Sequence, residues 1–133
     1  MEKNELALFN GNGNRTYCSK MVEKEEDKKE LFNALETCDA LLNDCVGQEI
    51  NIKDVYCEER EITTEDGEIK KKYRTIIFDV NGQTYATGSY GIFNIMKKLF
   101  TIYGMPTWNE GVKVKVSKRP IGNGKSSLTL TLV

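Results

Sequence analysis

The spacing of apolar residues changes along this chain and predicts the order of its helices and strands. Between residues 31 and 45, apolar positions recur every three or four residues, which indicates one stripe of an amphipathic helix. We expect Asp27 to be the N-cap of this helix, Glu30 its capping-box partner, and Gly47 its end. The stripe consists of Leu31, Leu35, Cys38, Leu42 and Cys45.

Beyond Gly47 the pattern favours strands joined by tight turns. The strand segments are "QEINIKDVYCEEREI", "IKKKYRTIIFDV" and "QTYATG". Asp66-Gly67 and Asn81-Gly82 separate them, and both dipeptides accept the positive φ angles of hairpin turns. The three segments are therefore predicted to form an antiparallel meander.

A second helix and two further strands complete the predicted order. The segment "SYGIFNIMKKLFTIYG" has a broad apolar helical face, and we expect it to stop at Gly104 because Pro106 prevents it from resuming. The segments "GVKVKVS" and "SSLTLTLV" alternate between apolar and polar residues, which indicates one buried and one wet face. Three strands, a helix and two strands are the order of the OB-fold, so we predict a mainly β protein with α: a five-stranded OB-fold barrel with a helix between strands three and four.

The N-terminal third is predicted to be an extension of this barrel. We expect residues 1–46, with short strands and the acidic helix, to pack on an OB-fold barrel of residues 47–133 as one compact domain. The apolar runs "LALF" and "TYCSKMV" flank "NGNGN", which is either a hairpin loop or a flexible segment. A ferredoxin-like sandwich is disfavoured, because the Asp66-Gly67 hairpin leaves no room for a helix between the first two strands.

Charge is distributed unequally along the chain. Residues 1–68 contain 8 Lys and Arg against 18 Asp and Glu, a net charge of −10. Residues 69–133 contain 11 Lys and Arg against 2 acidic residues, a net charge of +9. A local basic field attracts anionic partners even though the whole chain has a net charge of −1. This favours nucleic acid as a partner over an acidic helix that merely neutralises a basic sheet.

The composition argues against several other functions. The chain has no histidine, its 4 cysteines lack CxxC spacing, and "GNGKSS" lies between strands where a phosphate-binding loop needs a following helix. We therefore expect reduced, packed thiols, with no metal site, no cofactor and no catalysis. No apolar run is long enough for a membrane span or a signal peptide, which predicts a soluble protein of a reducing cytoplasm without a membrane partner.

Strand parity predicts a wet cationic face. Val112, Val114 and Val116 share one face of their strand, so Lys113 and Lys115 share the other. On the strand before the "NG" turn, we expect Ile76, Phe78 and Val80 to face the core and Lys71, Tyr73, Thr75 and Ile77 to face away from it. Lysines contact phosphates and aromatic rings stack on bases, so this composition is typical of single-stranded nucleic-acid binding.

Each aromatic residue also has a purely structural interpretation. Tyr73 is a good strand former, and Tyr56 and Tyr85 can lie at the barrel rim with satisfied hydroxyl groups. Trp108 is either a lid on the core or a stacking platform. The functional interpretation is stronger for Lys71, Tyr73, Lys113 and Lys115 together, because separate strands present them.

The chain resembles the single-stranded DNA-binding proteins of tailed bacteriophages, in particular those of phages that infect Gram-positive bacteria. The resemblance covers most of residues 15–133, and its more specific parts are "TYCSKMV" with "DVYCEE", "DVNGQTYATGSYGIFN" and "YGMPTW". It implies an OB-fold that coats and protects exposed strands during phage DNA replication in the cytoplasm of the infected bacterial host. It also implies that Tyr56, Tyr73 and Tyr85 lie in strands used for DNA.

The sequence thus predicts one DNA-binding site and leaves two rival functions. The predicted DNA-binding residues are Tyr56, Lys70, Lys71, Tyr73, Arg74, Tyr85, Lys113, Lys115, Lys118, Arg119 and Lys125. Single-stranded DNA is the predicted partner, and replication proteins are further candidates. One rival is a phage-encoded protein-interaction or DNA-mimic module that acts through the acidic N-terminal half. The other is an OB module for sugars or peptides, whose binding would not depend on salt.

Overall fold

The computed structural model describes residues 15–20 and 22–133 and contains a curled mixed β-sheet with two helices. This architecture is mainly β and consistent with an OB-like barrel. In chain order, the elements are β1 (Arg15–Cys18), α1 (Glu25–Glu36), β2 (Ala40–Leu41), a 3₁₀ turn (Leu42–Cys45), β3 (Glu49–Thr63), β4 (Ile69–Asp79), β5 (Thr84–Thr87), α2 (Tyr90–Tyr103), β6 (Val112–Gly122) and β7 (Lys125–Leu132). No helix in the described ranges is long and apolar enough to cross a membrane.

The sheet is organised around β3. Its described strands are hydrogen-bonded in the order β2-β5-β4-β3-β6-β7, and β1 pairs additionally with β3. One edge of β3 pairs with β4, and the other edge pairs with β6 through Glu49–Ile52 and with β1 through Tyr56–Glu59. A bulge between Ile52 and Asp54 separates the two parts of β3.

The predicted meander and both of its turns are confirmed. The β3–β4 turn contains Gly67 at φ 85°, and the β4–β5 turn contains Gly82 at φ 89°, both in the left-handed region that glycine tolerates. In the second turn, Asp79 Oδ1 accepts hydrogen bonds from the backbone N–H groups of Asn81 at 2.8 Å and Gln83 at 2.9 Å. The side chain of Asp79 thus closes the turn as an Asx motif.

The main core lies between α2 and the inner face of the sheet, defined here as the face that carries Val55, Ile77 and Val114. Val112, Val114 and Val116 are buried on this face, as their alternation predicts. Trp108 is a lid on this core: it is 9 % exposed, and its Nε1 donates to the Gly104 carbonyl at 3.1 Å. Gly104 caps α2 with φ 83°, so the predicted stop is confirmed.

A second, smaller apolar cluster lies on the outer face of the sheet beneath α1. Its buried members are Cys18, Ala34, Tyr56, Ile76 and Phe78. Leu31 and Leu35 of α1 pack against them. The sheet is therefore covered on both faces where β3 and β4 pair beneath α1.

The predicted extent of the first helix is wrong at both ends. Asp27 is its third residue, not its N-cap, and its Oδ2 accepts a hydrogen bond from the Lys24 N–H at 3.2 Å. The helix ends at Glu36, so Cys38 and Cys45 do not share a helical face. The next segment is instead tied to β5, because Thr84 Oγ1 accepts from the Asp39 N–H at 3.0 Å and donates to Asp39 Oδ2 at 3.1 Å.

The predicted division of β4 into a core face and a wet face is also wrong. Thr75 and Ile77 were expected to face away from the core but are 0 % exposed, whereas Val80 was expected in the core and is 37 % exposed. The reason is that α1 covers the outer face while the main core covers the inner face, so both parities are buried. The predicted loop at 10–14 and the apolar run before it lie outside the described residues.

A hydrogen-bonded group centred on the buried side chains of Ser19 and Asp54 joins the end of β1, β3 and the loop after α2. Ser19 Oγ donates to Asp54 Oδ1 at 2.8 Å and accepts from the Val55 N–H at 2.9 Å. Thr107 Oγ1 donates to the same carboxylate oxygen at 2.5 Å. Ser19 is 1 % exposed and Asp54 is 6 % exposed, so these bonds satisfy polar groups that water does not reach.

We expect Ser19→Ala to lower the free energy of unfolding by about 1–3 kcal/mol, because it leaves a buried N–H and a buried carboxylate short of a partner. Urea denaturation measures this change. Ser126→Ala is the matched control, since Ser126 is exposed. Equal stability of both variants would contradict the structural role of Ser19.

Candidate nucleic-acid interface

The outer face of β6 presents two lysines in the predicted way. Lys113 and Lys115 are exposed, while the valines on either side of each are buried. Asn51 lies opposite Lys113 and Glu49 opposite Lys115 in the pairing with β3. Within the described part of the chain neither lysine forms an ion pair, so both ammonium groups remain available to an anionic ligand.

The β6–β7 hairpin, residues 118–126, carries further cations away from the core. Lys118, Arg119 and Lys125 are exposed, as is every other residue of this hairpin. Its turn contains Gly122 at φ 99°, Asn123 at φ 54° and Gly124 at φ 71°, a run of left-handed residues that reverses the chain tightly. The hairpin therefore extends the cationic surface of β6.

The β3–β4 hairpin, residues 60–72, carries cations beside acidic residues. Lys70, Lys71 and Lys72 are exposed on β4. Lys71 Nζ lies 3.1 Å from Glu59 Oε2, and the hydrogen bond and charge of Glu59 raise the pKa of Lys71. This carboxylate partly neutralises Lys71, whereas no ion pair with Lys70 or Lys72 is found among the described residues. Lys70 and Lys72 are thus the freer cations of this hairpin.

Arg74 lies at the junction between β4 and α1. Its guanidinium donates a hydrogen bond to the Leu35 carbonyl near the end of α1. It also lines a pocket of about 400 Å³ with Glu36, Asp39 and Asp44. The structure therefore gives Arg74 a role in holding α1 against the sheet.

Tyr73 is half-buried and belongs to the inner face. Its ring centroid lies 4.8 Å from that of Phe93 and 4.9 Å from that of Tyr90, both on α2. It is the aromatic residue of β4 nearest to the β3–β4 hairpin, at the point where the strand enters the core. Tyr73 therefore packs against rings of α2, while part of the residue remains accessible to solvent.

Tyr56 and Tyr85 are enclosed. Tyr56 is 6 % exposed beneath α1, and its hydroxyl donates to Glu58 Oε1 at 2.9 Å. Tyr85 is 9 % exposed in the main core, and its hydroxyl donates to Asp79 Oδ2 at 3.1 Å. Burial raises the pKa of both phenols, that of Tyr85 to about 12. A base cannot stack on either ring in this conformation.

Sequence reasoning missed Tyr90, the first residue of α2. Its side chain is 55 % exposed, and it lies beside Tyr73. Lys97 lies one turn beyond Phe93, and its Nζ is 5.0 Å from the centroid of the Phe93 ring. Tyr90 precedes the apolar stripe of the helix. Its position outside that stripe was the signal in the sequence that its ring is exposed.

The structure thus divides the predicted residues into groups. It brings Tyr73 close to Lys71, two positions away on the same face of β4, and it groups Lys113 and Lys115 with the β6–β7 hairpin. It separates Tyr56 and Arg74, which face α1, from both groups. Tyr85 lies apart from all of them in the core.

The comparisons with known proteins identify a family. A family model described as "Phage Single-stranded DNA-binding protein" matches residues 11–133, a range that includes every strand and helix described above. No curated protein and no solved structure matches the chain.

We expect Tyr85 to make stability depend on alkaline pH. Its folded pKa of about 12 exceeds its ordinary value of 10, so its contribution is complete below pH 10 and is lost as the pH rises to about 12. Tyr85→Phe should therefore make the decline of the unfolding free energy across this range shallower. Denaturant titrations of both proteins at several pH values measure the slopes, and identical slopes would contradict the burial of this phenol.

Proposed function

This chain belongs to the family of phage single-stranded DNA-binding proteins, and from this membership we propose that it binds and protects single-stranded DNA during phage DNA replication. Binding is tolerant of sequence and involves no catalytic step, because lysines contact phosphates and rings contact bases without reading base edges. The carrying observation is the set of exposed cations on β6 and the two hairpins, which no described ion pair neutralises apart from those of Lys71 and Arg60.

We further propose that β3 to β7 are the five strands of an OB-fold barrel, with α2 as the helix between the third and fourth strands. The strand order β5-β4-β3-β6-β7 supports this assignment. Residues 1–46 are then the extension, and residues 47–133 the barrel of the same domain. In OB-folds, the loops between strands one and two and between strands four and five bind oligonucleotides. Their counterparts here are the β3–β4 and β6–β7 hairpins.

The proposed DNA path avoids the part of the barrel that α1 covers. OB-folds also use the face of strands two and three, but Leu31, Leu35 and Ala34 of α1 cover the corresponding outer face of β4. The path therefore follows the open cations of both hairpins and of β6. The proposed contacts are Lys70, Lys72, Tyr73, Lys113, Lys115, Lys118, Arg119 and Lys125, with Lys71 as a partly neutralised neighbour.

We place this activity in the cytoplasm of the infected bacterial host, where phage DNA is replicated. Replication proteins are proposed as further partners, because a coating protein must give way to the enzymes that copy the strand. The exposed acidic residues of α1, among them Glu25 and Glu26, lie outside the proposed DNA path.

We expect the protein to bind a single-stranded oligonucleotide more tightly than a duplex of the same length. Rings can stack on bases that are unpaired and accessible, whereas the bases of a duplex are already paired and stacked. A mobility-shift titration across a salt series measures both affinities. Equal affinity for the duplex would contradict the proposal, and absence of any shift would favour a protein-interaction module.

We expect the double substitution of Lys113 and Lys115 by Ala to weaken binding. The plot of log K against log salt should also become shallower by about 0.7 for each phosphate that the variant no longer neutralises. The double substitution of Lys28 and Lys29 by Ala on α1 is the matched control, because it removes two exposed lysines outside the proposed path. Equal slopes for the two variants would show that Lys113 and Lys115 serve only to solvate the sheet.

A further inference from the structure

We propose that Tyr90 is a principal base-stacking residue of this protein, located where the start of α2 lies against the bases of the two cationic hairpins. We call this region the interhairpin site: it consists of Tyr73 and Tyr90, with the β3–β4 and β6–β7 hairpins on either side. The inference rests on the proposed function and adds a specific stacking site to it.

Tyr90 is the exposed end of a series of three rings that starts in the core. Phe93 is 8 % exposed and fixed in the main core, Tyr73 packs on Phe93 at 4.8 Å, and Tyr90 packs on Tyr73 at 4.9 Å. The tilted arrangement of Tyr73 and Tyr90, with an interplanar angle of 53°, leaves Tyr90 55 % exposed. The ring is thus supported from beneath and accessible from solvent, so little conformational freedom is lost when a base stacks on it.

Two glycines bring the start of α2 against the bases of both hairpins. A Cβ atom at Gly88 would lie 3.4 Å from the carbonyl oxygen of Tyr73, where β4 enters the core. A Cβ atom at Gly91 would lie 3.1 Å from Ser127 Oγ and 3.3 Å from the Leu128 carbonyl oxygen, where β7 enters the core. Because Tyr90 lies between these glycines, its backbone spans the space that separates the two hairpins.

Both hairpins beside the start of α2 carry exposed cations. On β4, Lys71 shares the face of Tyr73, whereas Lys70 and Lys72 lie on the opposite face of the strand. The β6–β7 hairpin carries Lys118, Arg119 and Lys125. A DNA strand that passes from one hairpin to the other would place its phosphates near these cations and its bases over Tyr73 and Tyr90. Exposed cations beside an exposed ring are suited to an unpaired strand, whose bases are accessible.

Tyr103 provides a matched comparison at the other end of the same helix. It is 48 % exposed and contacts Trp108 with a centroid distance of 6.2 Å. It is the last residue of α2, whereas the glycine contacts with both hairpins lie at the first turn. General exposure of a tyrosine is therefore similar at both ends, and only Tyr90 lies between the hairpins.

The test compares Tyr90→Ala, Tyr90→Phe and Tyr103→Ala with the unchanged protein. Each is titrated with a fluorescent oligothymidylate and with an abasic oligonucleotide of the same length, which keeps the phosphates but lacks the bases. Thermal melting establishes that each variant is folded. If Tyr90→Ala fails to fold, Tyr90→Leu replaces it, because leucine maintains apolar packing on Tyr73 without an aromatic ring.

We expect Tyr90→Ala to weaken oligothymidylate binding about 5- to 150-fold, the equivalent of ~1–3 kcal/mol. Tyr90→Phe and Tyr103→Ala should bind as the unchanged protein does. On the abasic oligonucleotide, Tyr90→Ala should lose nothing, because there is no base to stack.

Two results would overturn the role of Tyr90 while leaving DNA binding established. One is unchanged oligothymidylate affinity in a folded Tyr90→Ala or Tyr90→Leu variant. The other is an equal loss on both oligonucleotides, which would mean that the residue acts through the phosphates or the fold. If the unchanged protein binds neither oligonucleotide, the proposed function itself fails.

Discussion

The structure depends on β3, because one edge of this strand pairs with two different strands, β6 and β1. β4 pairs along the other edge, while β6 takes the first part of β3 and β1 takes a later part. The bulge at Lys53 marks the change of partner, and the Trp108 N–H donates to the Lys53 carbonyl at 2.9 Å there. The strands on both edges of β3, including the N-terminal strand β1, and the lid of the core are thus joined at one point. The Asp54 carboxylate beside it bonds to both Ser19 and Thr107.

Local rules predicted the elements whose surroundings are simple. The Asp-Gly and Asn-Gly turns, the glycine stop of α2 and the alternation of β6 each follow from one residue type or one wet face. Parity failed on β4, where Thr75–Asp79 are buried without interruption because α1 covers the face that a lone barrel would expose. Periodicity failed after Glu36, because apolar residues at helical spacing continue through β2 and a 3₁₀ turn. The conformation after Glu36 is set instead by hydrogen bonds between Asp39 and Thr84, which are 45 residues apart.

The candidate site was predictable to the extent that it depends on charge. Exposed lysines on a strand with a buried valine face can be recognised from the sequence, and Lys113 and Lys115 are exposed. Aromatic residues could not be sorted in this way, since Tyr56, Tyr73, Tyr85 and Tyr90 differ in burial through remote contacts. The helix α1 covers Tyr56, and the position of Tyr90 follows from approaches of Gly88 to Tyr73 and of Gly91 to Ser127, which are distant in the sequence. These contacts join residues that are distant in the sequence and form only in the folded sheet, so local sequence patterns do not reveal them.

The strands β4 and β6 each consist of a buried part and an exposed part. The residues that pack the core are therefore different from the residues that present charge to solvent. In β6, Val112–Val116 supplies the buried positions, while Lys118–Gly122 is exposed. In β4, Thr75–Asp79 is buried, while Ile69–Lys72 is exposed. The projecting parts can change in length, charge or tip sequence without altering core volume. This architecture therefore lets a lineage adjust the reach and strength of its surface contacts while the packed interior of the domain stays unchanged.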